Sequence, residues 1–162
     1  SLGSADIFSC AVTEILVDQA ARCDYISLTD LGVRASHYHS VQATVAKDAH
    51  CKKQFFPVSA MQVRQEVNVD IIGSGASATI NSLSMLKGTQ QVDNSTIVRH
   101  AASHSESSQL FKGVYQDQSR GVFQGTIQCS RDVSGARFDQ SERFMQRAPL
   151  ATVADFGERL YD

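Results

Sequence analysis

The chain has 162 residues, 42% of them hydrophobic and 20% charged, a balance that excludes a disordered chain and fits a single domain with one core. Fifteen Lys and Arg against 17 Asp and Glu leave a net charge of −2 with no basic block, so nucleic acid is not expected as a main partner. No apolar run reaches the roughly 18 residues of a membrane span, and "SLGSADIFSC" lacks the parts of a signal peptide, so a cytoplasmic protein with no membrane partner is expected.

In chain order, "AVTEILVDQAA" at 11–21 admits an amphipathic helix with Val12, Ile15 and Leu16 on one side. Its β-branched content and the alternation in the following "RCDYISL" predict a strand instead. Apolar and polar residues then alternate in "VQATV" at 41–45, "VRQEVNVDI" at 63–71, "ATI" at 78–80 and "FQGTIQC" at 123–129. Period two marks strands with one buried face, and "DLG", "AKD", "GSG", "QDQS" and "RDVSG" supply the turns between them.

A turn, a small residue and a strand recur at Ala21, Ala49, Ala76, Gly121, Ala136 and Ala151, with gaps near multiples of about 14 to 15 residues, the mark of a solenoid. An antiparallel sandwich would also use many short strands, but Asn-Gly and Asp-Gly hairpin turns are scarce. The predicted fold is all-β, a parallel β-helix over residues 1–162 in which small corner residues let the backbone turn tightly.

Little catalytic chemistry is written in the chain. Cys10, Cys23, Cys51 and Cys129 form no C-x-x-C pair and read as small apolar residues. His100 and His104 stand at i and i+4, a zinc-hydrolase spacing on a helix, but Ala101 occupies the place of the general base and "SESS" is a poor helix former. Structural histidines are the preferred reading over a metal site. His37 and His39 in "SHYHS" share one face of a strand and read as a solvent-facing or corner pair in preference to a cation ladder, while His50 and Cys51 point to opposite faces. No G-x-S-x-G elbow, Walker A loop or G-x-G-x-x-G string is present, and "GSG" at 73–75 reads as a turn, so no catalytic residue is assigned.

The stretch "HAASHSESSQLFKG" resembles a signature of the SufB/SufD family of iron–sulfur cluster assembly scaffolds, H-x-x-P-H-x-x-S-x-x-L-[YF]-K-G, with His100, His104, Ser107, Leu110, Phe111, Lys112 and Gly113 in register. Downstream, "GVFQGTIQC" is similar to the family's A-V-F-N-G-x-I segment, and upstream Arg64, Asn68, Gly73, Gly75, Asn81, Gly88 and Asp93 fall on the pattern. "VTEILV" near the start also matches, so the likeness runs from Val12 to Arg143. It leans to the SufD branch, because the position of SufB's essential cysteine falls on Arg143. Ser103 replaces the usual Pro, and "QSERFMQR" replaces an Asn-rich run.

The resemblance implies a parallel β-helix core acting as a non-catalytic scaffold, not an enzyme. It implies pairing with a SufB-like paralogue, with Gln140 and Arg143 on the candidate interface. It further implies a SufC-like ATPase bound through a C-terminal helical domain that the sequence lacks, as it lacks the N-terminal one. The cluster belongs to the complex, its ligand His falls beyond Asp162, and no cofactor is expected in this chain. The compartment would be the cytoplasm, or the plastid stroma in a eukaryote, and uncapped coils could let the domain self-associate. The competing readings are a β-helix carbohydrate-active enzyme, which would need an acid/base ladder not seen here, and a histidine metal module.

Overall fold

In the computed structural model, which describes residues 6–147 and 151–161, nine parallel strands wind around an interior that holds two hydrophobic clusters. They are β1 (Ile7–Val17), β2 (Arg22–Val45), β3 (His50–Ile71), β4 (Ser77–Leu86), β5 (Gln91–His100), β6 (Glu106–Tyr115), β7 (Arg120–Cys129), β8 (Arg137–Gln146) and β9 (Thr152–Tyr161). β2 and β3 bend midway and serve two faces. Their first halves continue into β4, β6 and β8; their second halves lie between β1 and β5, followed by β7 and β9. The result is a parallel β-solenoid, as the spacing predicts. Segment 11–17 is strand and not helix, because its inner and outer residues alternate and each pairs in register with β2. No helix among the described residues is long and apolar enough to cross a membrane.

One full coil spans from 26 residues (Ser36 beside Gln62) to 32 (Arg120 beside Thr152). The sequence markers therefore count half-coils, one per face. At the corner before each strand of the first face the chain turns through a left-handed residue: Ala20 (φ 59), Asp48 (φ 56), Gly75 (φ 72), His104 (φ 57) and Gly135 (φ 66). The tips also bond from coil to coil, as in Ala20 N to Lys47 O at 2.9 Å, Asp48 N to Ser74 O at 3.0 Å and His104 N to Ser134 O at 2.9 Å. Each turn closes on a small residue that is fully covered where coils lie on both sides: Ala49, Ala76 and Ser105 are each 0% exposed.

Inside, identical positions stack. Val17, Val45 and Ile71 form one buried row that continues into His100, and Ile15, Ala43, Val69, Val98 and Ile127 form the next. Rows of β-branched side chains interlock along the axis, which is why period two carries so much of this fold. Near the other corner Tyr115 is a wedge: its ring lies over Gly113 and Gly121, where any Cβ would overlap it, and meets Phe144 edge-on at 5.9 Å. Gly125 is structural through space and not through φ. A Cβ there would stand 2.7 Å from Phe123 Cζ and 2.8 Å from Gln140 Nε2.

Candidate functional site

The signature stretch builds the corner between β5 and β6. His100 occupies a core row that is aliphatic in the earlier coils, and at 1% exposure both ring nitrogens need partners. Nδ1 lies 2.7 Å from Ser105 Oγ and Nε2 lies 2.9 Å from Ser107 Oγ. Ser105 Oγ donates to Ala102 O at 2.7 Å, so its one proton is committed. His100 Nδ1–H must then donate to Ser105, which leaves Nε2 to accept from Ser107 O–H. Burial lowers the His100 pKa, and this closed relay suits the neutral ring.

The same geometry separates the two histidines of the motif. His104 sits at the turn tip, exposed, in the left-handed conformation, with its ring against Gly135. A turn between them replaces the helix that an i, i+4 metal pair requires, and no group of three or more metal-ligating side chains forms among the described residues. Elsewhere in the motif Phe111 stacks on Phe123 with centroids 4.3 Å apart, Lys112 points outward, and Gly113 makes room for Tyr115. Ser103, standing where the family pattern has Pro, stitches three coils. It accepts at its carbonyl from Ser74 Oγ (2.9 Å) and at its hydroxyl from Ser134 N (3.0 Å).

A second polar cluster lies at the β1 end. His37 and His39 do share a face, as the alternation predicts, with centroids 5.8 Å apart, but that face is the interior. The solvent-facing or corner reading is corrected here: in a solenoid the inward row includes whatever falls on it, and β1 supplies the partners. Thr13 Oγ1 lies 3.0 Å from His39 Nε2 and 3.3 Å from Tyr25 OH, and Ser9 Oγ lies 3.1 Å from His37 Nδ1. Burial, then Lys53 and His37, push the His39 pKa down to about 4. Two more expectations hold in part. His50 and Cys51 do face opposite ways, but only Cys51 of the four cysteines is buried, and Cys10 is exposed.

Lys53 escapes the motif-based reading altogether. It is 3% exposed, its ammonium has no hydrogen-bond partner among the described residues, and it lies 5.1 Å from the Phe55 ring centroid. Burial drives its pKa down to about 7, against a small opposing effect of Cys51. Gln65, Ser82 and Asn94 border the same interior gap, each with an unpartnered polar atom. The signal was legible in "CKKQFF": strict alternation from Cys51 puts Lys53 and Phe55 on the inner face.

Of the two interface candidates, Gln140 turns inward, half-buried against Gly125 and Gly157, whereas Arg143 is exposed on β8, the last strand of the first face. The two do not come together as one surface.

An all-parallel two-faced solenoid with a Ser–His–Ser corner defines a β-helical core domain. The sequence model of the SUF system FeS cluster assembly SufBD core domain matches residues 1–154, and the chain belongs to that family. It is 27% identical over 131 residues to the iron–sulfur cluster assembly protein SufD of Escherichia coli K12, covering 81% of this chain and 31% of that protein. It is 25% identical over 130 residues to the SufD of Plasmodium berghei, covering 80% and 10%. An iron–sulfur cluster assembly SufBD family protein of Mycobacterium tuberculosis H37Rv is 27% identical over 103 residues, covering 64% and 26%. The chain thus spans about a third or less of the length of these relatives.

Proposed function

We propose that this domain is the non-catalytic core of a SufD-like scaffold in iron–sulfur cluster assembly. It would pair with a SufB-like paralogue and work beside a SufC-like ATPase, in the cytoplasm or a plastid stroma. The observation that carries this reading is the family match over residues 1–154 together with how the signature polar groups are used. His100 and Ser107 would make a base and a nucleophile, yet both are buried, and they are consumed in holding a corner. A solenoid of stacked strands offers rigid faces and long edges, which suits a protein that positions partners. The cluster is cargo of the assembled complex, and no residue of this chain is assigned to it.

The test is sedimentation of the chain alone and mixed with a SufB-like core from the same source. A one-to-one complex is expected. Independent sedimentation of two folded proteins overturns the pairing, and a homodimer of this chain that excludes the paralogue does so equally.

A further inference from the structure

The two outer faces of the solenoid meet the same solvent but differ in chemistry. On the face formed by the second halves of β2 and β3 with β5 and β7, outward side chains are mainly polar and cross-linked, and its apolar side chains gather on the edge strand β1, where Phe8 is 74% exposed, Val12 78% and Leu16 73%. Arg64 pairs with Glu66 at 2.9 Å and with Asp93 at 3.4 Å, Arg99 pairs with Asp70 at 3.1 Å, and Tyr38 donates to Glu66 at 2.9 Å. This is how a solvated sheet surface is made. The opposite face is polar where its strands begin, with Arg137 3.8 Å from Glu106, and apolar where they end. Leu28 is 67% exposed, Val58 52%, Met85 64% and Met145 57%. Met85, Val114 and Met145 are successive register partners, so they form one continuous outward row across β4, β6 and β8.

Beside that row, two positions back along the strands, run Leu83, Lys112 and Arg143, again register partners, and Lys87 lies at the end of β4. Lys87, Lys112 and Arg143 are exposed and make no ion pair with a described residue. Nearest in the chain among acidic side chains are Glu142, which alternates to the other side of the strand from Arg143, exposed Asp139 four residues before Arg143, and Asp117, which accepts from Gly88 N at 2.8 Å. Phe56, Val58, Leu83, Met85 and Val114 line a groove of about 360 Å³ that crosses β3, β4 and β6, with Lys87 at its rim.

We propose that this groove is the docking site for an amphipathic helix of a partner protein, apolar on one side and carrying acidic residues along both flanks. An all-parallel sheet is ordinarily covered by helices, and exposed apolar patches of this extent mark interaction sites. Strands repeat every 4.7–4.9 Å across the groove, close to the roughly 5.4 Å pitch of a helix laid along it. Acidic side chains on one flank therefore meet Lys112 and Arg143, which stand two positions before the apolar row, and one on the other flank meets Lys87, two positions after it, while the apolar side lies on the Met85 row. The long, flexible cations absorb the small mismatch, and methionine adapts to the helix surface. The groove is concave, which suits a convex helix better than a lipid surface.

The test uses a fluorescent 18-residue peptide with Leu at i, i+3, i+4 and i+7 and Glu along both flanks, its Glu→Lys counterpart, and anionic lipid vesicles. Anisotropy is read against the wild-type chain and Lys87→Glu/Lys112→Glu, whose exposed positions leave the fold intact, as a melting curve checks. The wild-type chain is expected to bind the acidic peptide, more weakly at high salt, and to bind the basic one at least tenfold less. The charge-reversed chain should exchange that preference. Equal binding of both peptides, binding of neither, or binding of vesicles in place of peptide overturns the proposal. The readout is separate from pairing with a paralogue, so the two can fail independently.

Discussion

Replacing Lys53 with Met should stabilise the domain and remove most of its pH dependence between pH 7 and 9. Its amine has a pKa of about 7 in the fold against 10.5 when free. Between those values the unfolded chain holds more protons than the folded one, so stability rises with pH. At about 1.36 kcal/mol for each unit, burying this amine, which gives up its proton in the fold, costs about 4 kcal/mol at pH 7 and about 2 kcal/mol at pH 9. The wild-type chain should therefore gain about 2 kcal/mol over that interval. Above pH 9 the slope is opposed by Cys51, pushed up to about 11, and Tyr115, pushed up to about 12, both chiefly by burial, because the unfolded thiol and phenol lose their protons first. Urea unfolding of both chains at pH 7, 8 and 9 reads the effect directly, since Met fills the same volume without the charge. A wild-type stability that is flat or falls over this window, or a Lys53→Met chain that keeps the full slope, would refute the reasoning.

Gly125→Val should cost ~2–3 kcal/mol by overpacking against Phe123 and Gln140, and an unchanged melting temperature would show that the coil can yield there. Acid should destabilise the fold through His39: its folded pKa lies below 6.5, so the unfolded chain takes the proton first and stability is lost as pH falls from 6.5 toward about 4. About 1.5 kcal/mol should go between pH 6.5 and 5 from this residue, and His39→Gln should flatten that part of the profile in urea titrations. His104→Gly should raise stability by up to ~1 kcal/mol by relieving its left-handed backbone, read as a higher midpoint in urea; a loss above that size would mean that the ring itself holds the corner. Added zinc or iron should leave the melting temperature of the wild-type chain unchanged, and a rise that His104→Gly abolishes would restore the metal reading of this motif.

Legibility in the sequence followed the physics of the solenoid. A strand alternates its side chains strictly, so "VRQEVNVDI" and "FQGTIQC" disclosed both their conformation and their buried faces. A tight corner needs a small residue to close on, so Ala49 and Ala76 disclosed the full-coil repeat. Alternation also placed His37 with His39 and separated His50 from Cys51. In "SHYHS", where both faces carry polar residues, it could not say which is the inner one, because that depends on what the next coil lays against it. His39 is inside because Thr13 comes to meet it from β1 and Tyr25 from the other half of β2.

By itself, then, the amino-acid sequence determined the strands, the turns, the parallel winding and the family, since each rests on local pattern or on a contiguous signature. Tertiary structure alone decided what the polar residues do. His100 gains two serines because the corner at His104 folds back on itself, Lys53 loses its solvent because two faces close over it, and Lys112 comes beside Arg143 because β6 and β8 stack in register. Those partners come from turns that fold back and from coils about 30 residues apart, a separation at which only the wound chain sets the distance.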